Sequence, residues 1–157
     1  IKLNQMTELS VKVKNQRQSI LDFEEKMLSI VDNKGVFAGD KTEELCPLKH
    51  TFAHGVYVRE MKAKKETIIV GKIHQYDHIT FLLSGKLLVA TENGVEEFIG
   101  PCYFKGAAGL KRVGYVVEDV IWINIHPNPT DTEDLEILEE KLIAKNYLEY
   151  EQNKKLK

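Results

Sequence analysis

Apolar residues recur at helical spacing over 15–31. Ile20, Phe23, Met27, Ile30 and Val31 share one side, with Asp22, Glu24, Glu25 and Lys26 between them. The spacing predicts an amphipathic helix that needs a partner surface, ended by the turn residues Asp32-Asn33-Lys34-Gly35. Residues 32–49 contain Gly35, Gly39 and Pro47 and read as a connection. From about 50 to 126 the period changes to that of strands. The runs Val56–Val58, Thr67–Val70, Phe81–Leu83, Leu87–Thr91, Val95–Ile99, Val113–Val117 and Val120–Ile125 are rich in β-branched and aromatic residues. Between them stand Ser84-Gly85, read as a tight turn, and Asn93-Gly94, read as a type I′ hairpin turn with two positive-φ residues. Gly100-Pro101, Gly106 and Gly109 punctuate the next stretch. Many short strands separated by regular turns predict an all-β sandwich or barrel. Thr130-Asp131-Thr132-Glu133 reads as a capping box, with Thr130 as N-cap and Glu133 at N3. A C-terminal helix is expected to follow, with Leu135, Leu138, Leu142 and Ile143 as its stripe. The basic tail Lys154–Lys157 is expected to be frayed and solvated.

The 157 residues suit one domain. Its expected parts are a helical extension and linker (1–43), a β-barrel (44–127), and a helix with its tail (128–157). Hydrophobic residues at 43% and charged residues at 29% are the proportions of a chain that buries a core. The net charge of −2 offers no basic excess for a nucleic-acid backbone, so that partner class is not expected. Cys46 and Cys102 lack CxxC spacing. They suit either a disulfide or, in a reducing compartment, two unpaired thiols. No stretch has the apolar length of a bilayer span, and the residues from Ile1 to Asn4 lack the basic, long-apolar, small-residue order of a signal peptide. No membrane partner is expected, and the expected location is the cytoplasm.

The stretch with chemistry is Gly71-Lys72-Ile73-His74-Gln75-Tyr76-Asp77-His78, followed by Gly85. It resembles the first motif of the cupin superfamily: His-x-His, three or four residues, Glu, six residues, Gly. Counted back from Gly85, His78 takes the Glu position, His74 the second His and Lys72 the first. A second motif resembles Gly100 to Gly109, with Lys111 at its expected His. Two of the four usual ligand positions are thus lysines. Three longer stretches, His50–Glu60, Val70–His78 and Gly109–Pro127, resemble small cupin-like proteins of tailed bacteriophages and prophages. That group has a fold and no settled function. The resemblance spans roughly 44–140 and leaves out the helix at 15–31. It implies a cupin-type jelly roll with flanking helices.

Two readings of the site follow. His74 and His78 suit a divalent transition metal such as zinc, iron, nickel, manganese or copper, with a third ligand from Glu60, His126, His50 or water. Glu60 would share the Val56/Val58 face of its strand, and a one-residue slip would present Arg59 instead. The alternative is a pair of hydrogen-bonded core histidines. Lys72 and Lys111 oppose a metal. A unit charge about 4 Å away costs on the order of 4 kcal/mol at intermediate dielectric, and a divalent ion doubles this. The same lysines, with Arg112, suit a carboxylate or phosphate, unless they point outward into solvent. Trp122, Asn124 and His126 alternate along one strand and share a face, either at a cavity mouth or as packing. Cys102 has no neighbouring base to mark it as a nucleophile, and there is no phosphate loop or nucleophile elbow.

Three functions fit these residues. One is a small cupin that binds a small, anionic ligand and a divalent metal. Another is a metal-dependent or His/Lys-dependent enzyme such as an epimerase, a lyase or a dioxygenase-like protein. The third is a structural protein built on a homo-oligomer, a dimer or higher. The first is the expectation.

Overall fold

Two long strands carry the architecture of the computed structural model, which describes residues 2–28, 36–38 and 46–156. β6 (His78–Thr91) and β9 (Val113–Asn128) pair antiparallel along most of their lengths. The other strands attach to them. At one end β8 (Cys102–Gly106) joins β6, while β3 (Gly55–Ala63) joins β9 and carries β2 (Leu48–Ala53). At the other end β7 (Gly94–Ile99) joins β6, while β4 (Ile68–Val70) joins β9 and carries β1 (Val36–Ala38). A short two-stranded pair, β5 (Ile73–His74) with β10 (Ile143–Ala144), closes one flank.

The sheet rolls over itself because β6 is bulged against β9 between Leu82 and Leu87. The bulge also changes which residues face inward. His78, Thr80 and Leu82 are buried before it, and Leu87 and Val89 after it, so the inward parity switches from even to odd. Gly85 sits at the bend with φ +84°, and a Cβ there would lie 2.1 Å from the Asp119 carbonyl oxygen. The tight turn expected at Ser84-Gly85 is therefore a kink inside one continuous strand. The inner faces meet on a core that includes Leu82, Leu87, Val89, Val116, Val120 and Trp122. This is the all-β sandwich with flanking helices that the sequence implied.

Three local expectations are corrected. The β6–β7 loop is Glu92-Asn93, with Gly94 already paired to Thr91, and of Asn93 and Gly94 only the glycine has positive φ. The C-terminal helix α2 (Leu135–Leu142) is capped by Asp134, which accepts the Glu136 and Ile137 N–H groups. Thr130 is not its cap, and neighbouring Asp131 instead accepts the Gly55 N–H at 2.6 Å in the β2–β3 turn. Finally, the tail is not all frayed. Tyr147–Lys155 forms a third helix, α3, capped by Asn146 and anchored by buried Tyr150.

The N-terminal helix α1 (Lys2–Leu28) docks through a mixed face. Ile20 is buried and Phe23 and Met27 are half-buried, while Ile30 and Val31 lie outside the described residues. Arg17 makes a bidentate pair with Glu92 at 2.6 and 3.0 Å and lies over the Tyr147 ring. Cys46 and Cys102 are free thiols, and burial pushes Cys46 up to about 11. No helix among the described residues is long and apolar enough to cross a membrane.

Candidate functional site

His74 ends β5 and His78 begins β6, and the bend between them is pinned from three sides. The Asp77 carboxylate accepts the Ala108 N–H at 2.9 Å and Lys105 Nζ at 3.0 Å. The Gln75 N–H donates to Leu142 O, and the Gly109 N–H to His74 O. Gly106, opposite His78 across β8, leaves room for the ring, since a Cβ there would stand 2.4 Å from His78 Nε2. These constraints turn both imidazoles inward. His126 reaches the same spot from β9, where residues 122, 124 and 126 are buried in alternation.

The three rings form one cluster. Centroids lie 4.2 Å apart for His74 and His78, 5.1 Å for His74 and His126, and 4.9 Å for His78 and His126. Each ring offers a nitrogen, and these three atoms lie within 4.8 Å of one another. All three residues are buried, and His74 Nδ1 has no hydrogen-bond partner among the described residues. His78 Nδ1 lies 3.3 Å from Tyr76 O, to which it donates when it carries the proton. The rings are held neutral. Burial pushes His78 down to about 4 and His126 down to about 3, and holds His74 well below the ordinary range. The positive charge of Arg59 lowers all three further, and that of Arg112 lowers His74 and His78. Neutral imidazoles are the form that ligates metals.

Beside the cluster lies a cavity of about 150 Å³. His74, His78, Arg59, Arg112 and Asn124 line its polar part, and Lys72 and Glu139 stand in its wall as an ion pair. Trp122 contributes to the apolar part. Arg112 donates to Ala107 O at 3.3 Å, and burial lowers its pKa. Asn124 is fixed in orientation: its Oδ1 accepts Trp122 Nε1 at 3.0 Å and Thr80 Oγ1 at 2.9 Å. Because an indole N–H only donates, the oxygen must face it, which leaves the Asn124 amide N–H groups for other partners.

The structure thus brings together His74, His78 and His126, with Lys72, Arg112 and Trp122 around the same hollow. Three expected residues lie elsewhere. Glu60 does share the Val56/Val58 face, but that face is the outer one, and its carboxylate lies 3.7 Å from Lys62. Tyr57, Arg59 and Met61 face inward instead, so β3 presents a guanidinium where a carboxylate was expected. Lys111 does not line the cavity, because its Nζ lies 2.9 Å from Glu24 of α1. His50 is also apart, bonded through Nδ1 to the Tyr57 hydroxyl at 2.7 Å. The sequence pattern named Arg59 only as the residue that a one-residue slip of its strand would present in place of Glu60. The only signal for it was the phase of β3, which two valines on the outer face obscure.

No family model and no curated protein matches the chain. Solved structures resemble it over about half its length. The EutQ protein of Clostridium difficile is 17% identical with a TM-score of 0.44, over 53% of this chain and 68% of that one. A cupin-2 domain containing protein from Shewanella frigidimarina is 12% identical at 0.42, over 51% and 80%. KdgF from a Halomonas species is 14% identical at 0.43, over 51% and 79%.

Proposed function

We propose that this protein is a small cupin-type receptor that holds one divalent transition metal on His74, His78 and His126 and takes a small anionic ligand beside it. The observation that supports this reading best is three buried, neutral imidazoles with ring nitrogens within 4.8 Å of one another; His74 Nδ1 is also without a partner among the described residues. A buried ring nitrogen without a partner is costly, and a metal ion would satisfy it. Three imidazoles would suit zinc, iron, nickel or copper, and two of them, His74 and His78, also line the cavity. When bound, the metal would supply Lewis acidity.

The arginines make the two ligands interdependent. A divalent ion near two guanidiniums is repelled by several kcal/mol at intermediate dielectric, and an anion between them offsets part of that repulsion. Metal affinity should therefore rise when the anion is present, and anion affinity should rise with metal by the same factor. The test is elemental analysis of protein purified without added metal, and again after loading and desalting. Wild type is expected to hold one ion per chain and His126→Ala to hold none above background. A wild-type protein that stays metal-free after loading overturns the metal part of this reading.

A further inference from the structure

We propose that the cavity beside the histidine cluster selects a monocarboxylate with a compact apolar body, aliphatic or aryl, and excludes sugars and nucleotides. The proposal rests on the reading above for the cavity being the ligand site, and adds the class of ligand. Three observations carry it.

The inner face is layered. Across β3, β9 and β6 the register places Arg59, Asn124 and Thr80 in one row. The next row is Met61, Trp122 and Leu82. On the far side of the polar row stand His126 and His78. Polarity therefore falls along β9 from His126 through Asn124 to Trp122 and Val120. A ligand that fits this gradient has one polar end and one hydrocarbon end.

The polar end is cationic and unneutralised. Among the described residues neither Arg59 nor Arg112 makes a salt bridge, and both line the cavity beside His74 and His78. Lys72 is already paired with Glu139. Partly buried guanidiniums without a counter-charge favour an anion, and their planar forks match a carboxylate. The Asn124 amide N–H groups, left over from the contacts of Oδ1, add a donor in the same row. Because both guanidiniums act on His74 and His78, and Asn124 shares the row of Arg59, one carboxylate at that end is called for.

The opposite end is hydrocarbon. Its wall is made by Met61, Ile69, Val70, Leu87, Val89 and the Trp122 ring, whose N–H is already bonded. A hydroxylated ligand would press its hydroxyls against groups that cannot pair with them. A cavity of about 150 Å³ is of the size that holds benzene, so the hydrocarbon body must be compact.

The experiment is calorimetric titration of the metal-loaded protein with 4-methylpentanoate, benzoate, acetate, gluconate, inorganic phosphate and benzamide. The first two are expected to bind at least tenfold tighter than each of the others. Acetate lacks the body, gluconate and phosphate lack apolar surface, and benzamide lacks the charge. Arg112→Gln is expected to weaken benzoate at least tenfold and to leave benzamide unchanged, with the thermal melt showing whether that variant folds. The wild-type panel decides the matter without the variant. Preference for gluconate or phosphate keeps the cavity as a binding site and overturns the class assigned to it. Benzamide equal to benzoate overturns the role of the arginines. No binding by any member overturns both this proposal and the ligand-site reading beneath it.

Discussion

Acidifying the metal-free protein from pH 7 to pH 5 should destabilise it steeply. The perturbation acts on His74, His78 and His126, whose ordinary value is 6.5 and whose folded values are about 4 for His78, about 3 for His126 and well depressed for His74. A depressed folded pKa means that the unfolded chain binds the proton first. Stability from these rings is therefore fully present above pH 6.5 and drains away as the pH falls towards 4. Between pH 7 and pH 5 an unfolded imidazole gains about 2 kcal/mol from protonation that the folded ring cannot share. His78 and His126 together give about 4 kcal/mol, and His74, held well below the ordinary range by burial, adds to it in the same direction; that is a large fraction of the stability of an ordinary domain. The depressed carboxylates Asp77, Asp119 and Asp131 titrate below the window, because their ordinary value is already 3.8. Urea melts at pH 7.0, 6.0, 5.5 and 5.0 with a chelator present measure the slope. Replacing one ring, as in His126→Phe, should remove about 2 kcal/mol of the pH dependence. A total change under about 1 kcal/mol across the window would mean that the rings are solvated, and the buried cluster would have to be abandoned.

Two further outcomes follow from the fold. Gly85→Ala places a Cβ against the Asp119 carbonyl at a positive φ, and should cost about 3 kcal/mol or more in thermal or urea melts; a change within experimental error would remove the kink from its place in the architecture. Lys111→Ala leaves the half-buried Glu24 carboxylate without its partner, and should lower stability by about 1–2 kcal/mol and speed proteolysis of α1 while cavity ligands bind as before. Loss of ligand affinity in that variant would return Lys111 to the cavity.

Local pattern determined a good deal of this protein. The strand runs and the shared face of Trp122, Asn124 and His126 follow from period-two alternation and turn residues, which are properties of neighbouring positions, while the pairing of His74 with His78 across a bend was implied by the resemblance to the cupin motif. The end of α2 also carried a readable stripe in Leu138 and Leu142. The tertiary structure decided everything that depends on phase and on contacts distant in the chain. Whether β3 turns Arg59 or Glu60 inward depends on its pairing with β9, because both of its faces carry apolar residues. The parity switch in β6 arises from a bulge that exists only against β9. Lys111 is held out of the cavity by Glu24, far away on α1, and α3 is stabilised less by its own weak stripe than by Tyr147 against Arg17 and the burial of Tyr150. The third imidazole joins the other two only when β9 lies beside β6. An isolated chain segment has no means of expressing that register, since its hydrogen bonds are made by strands that meet only in the folded sandwich.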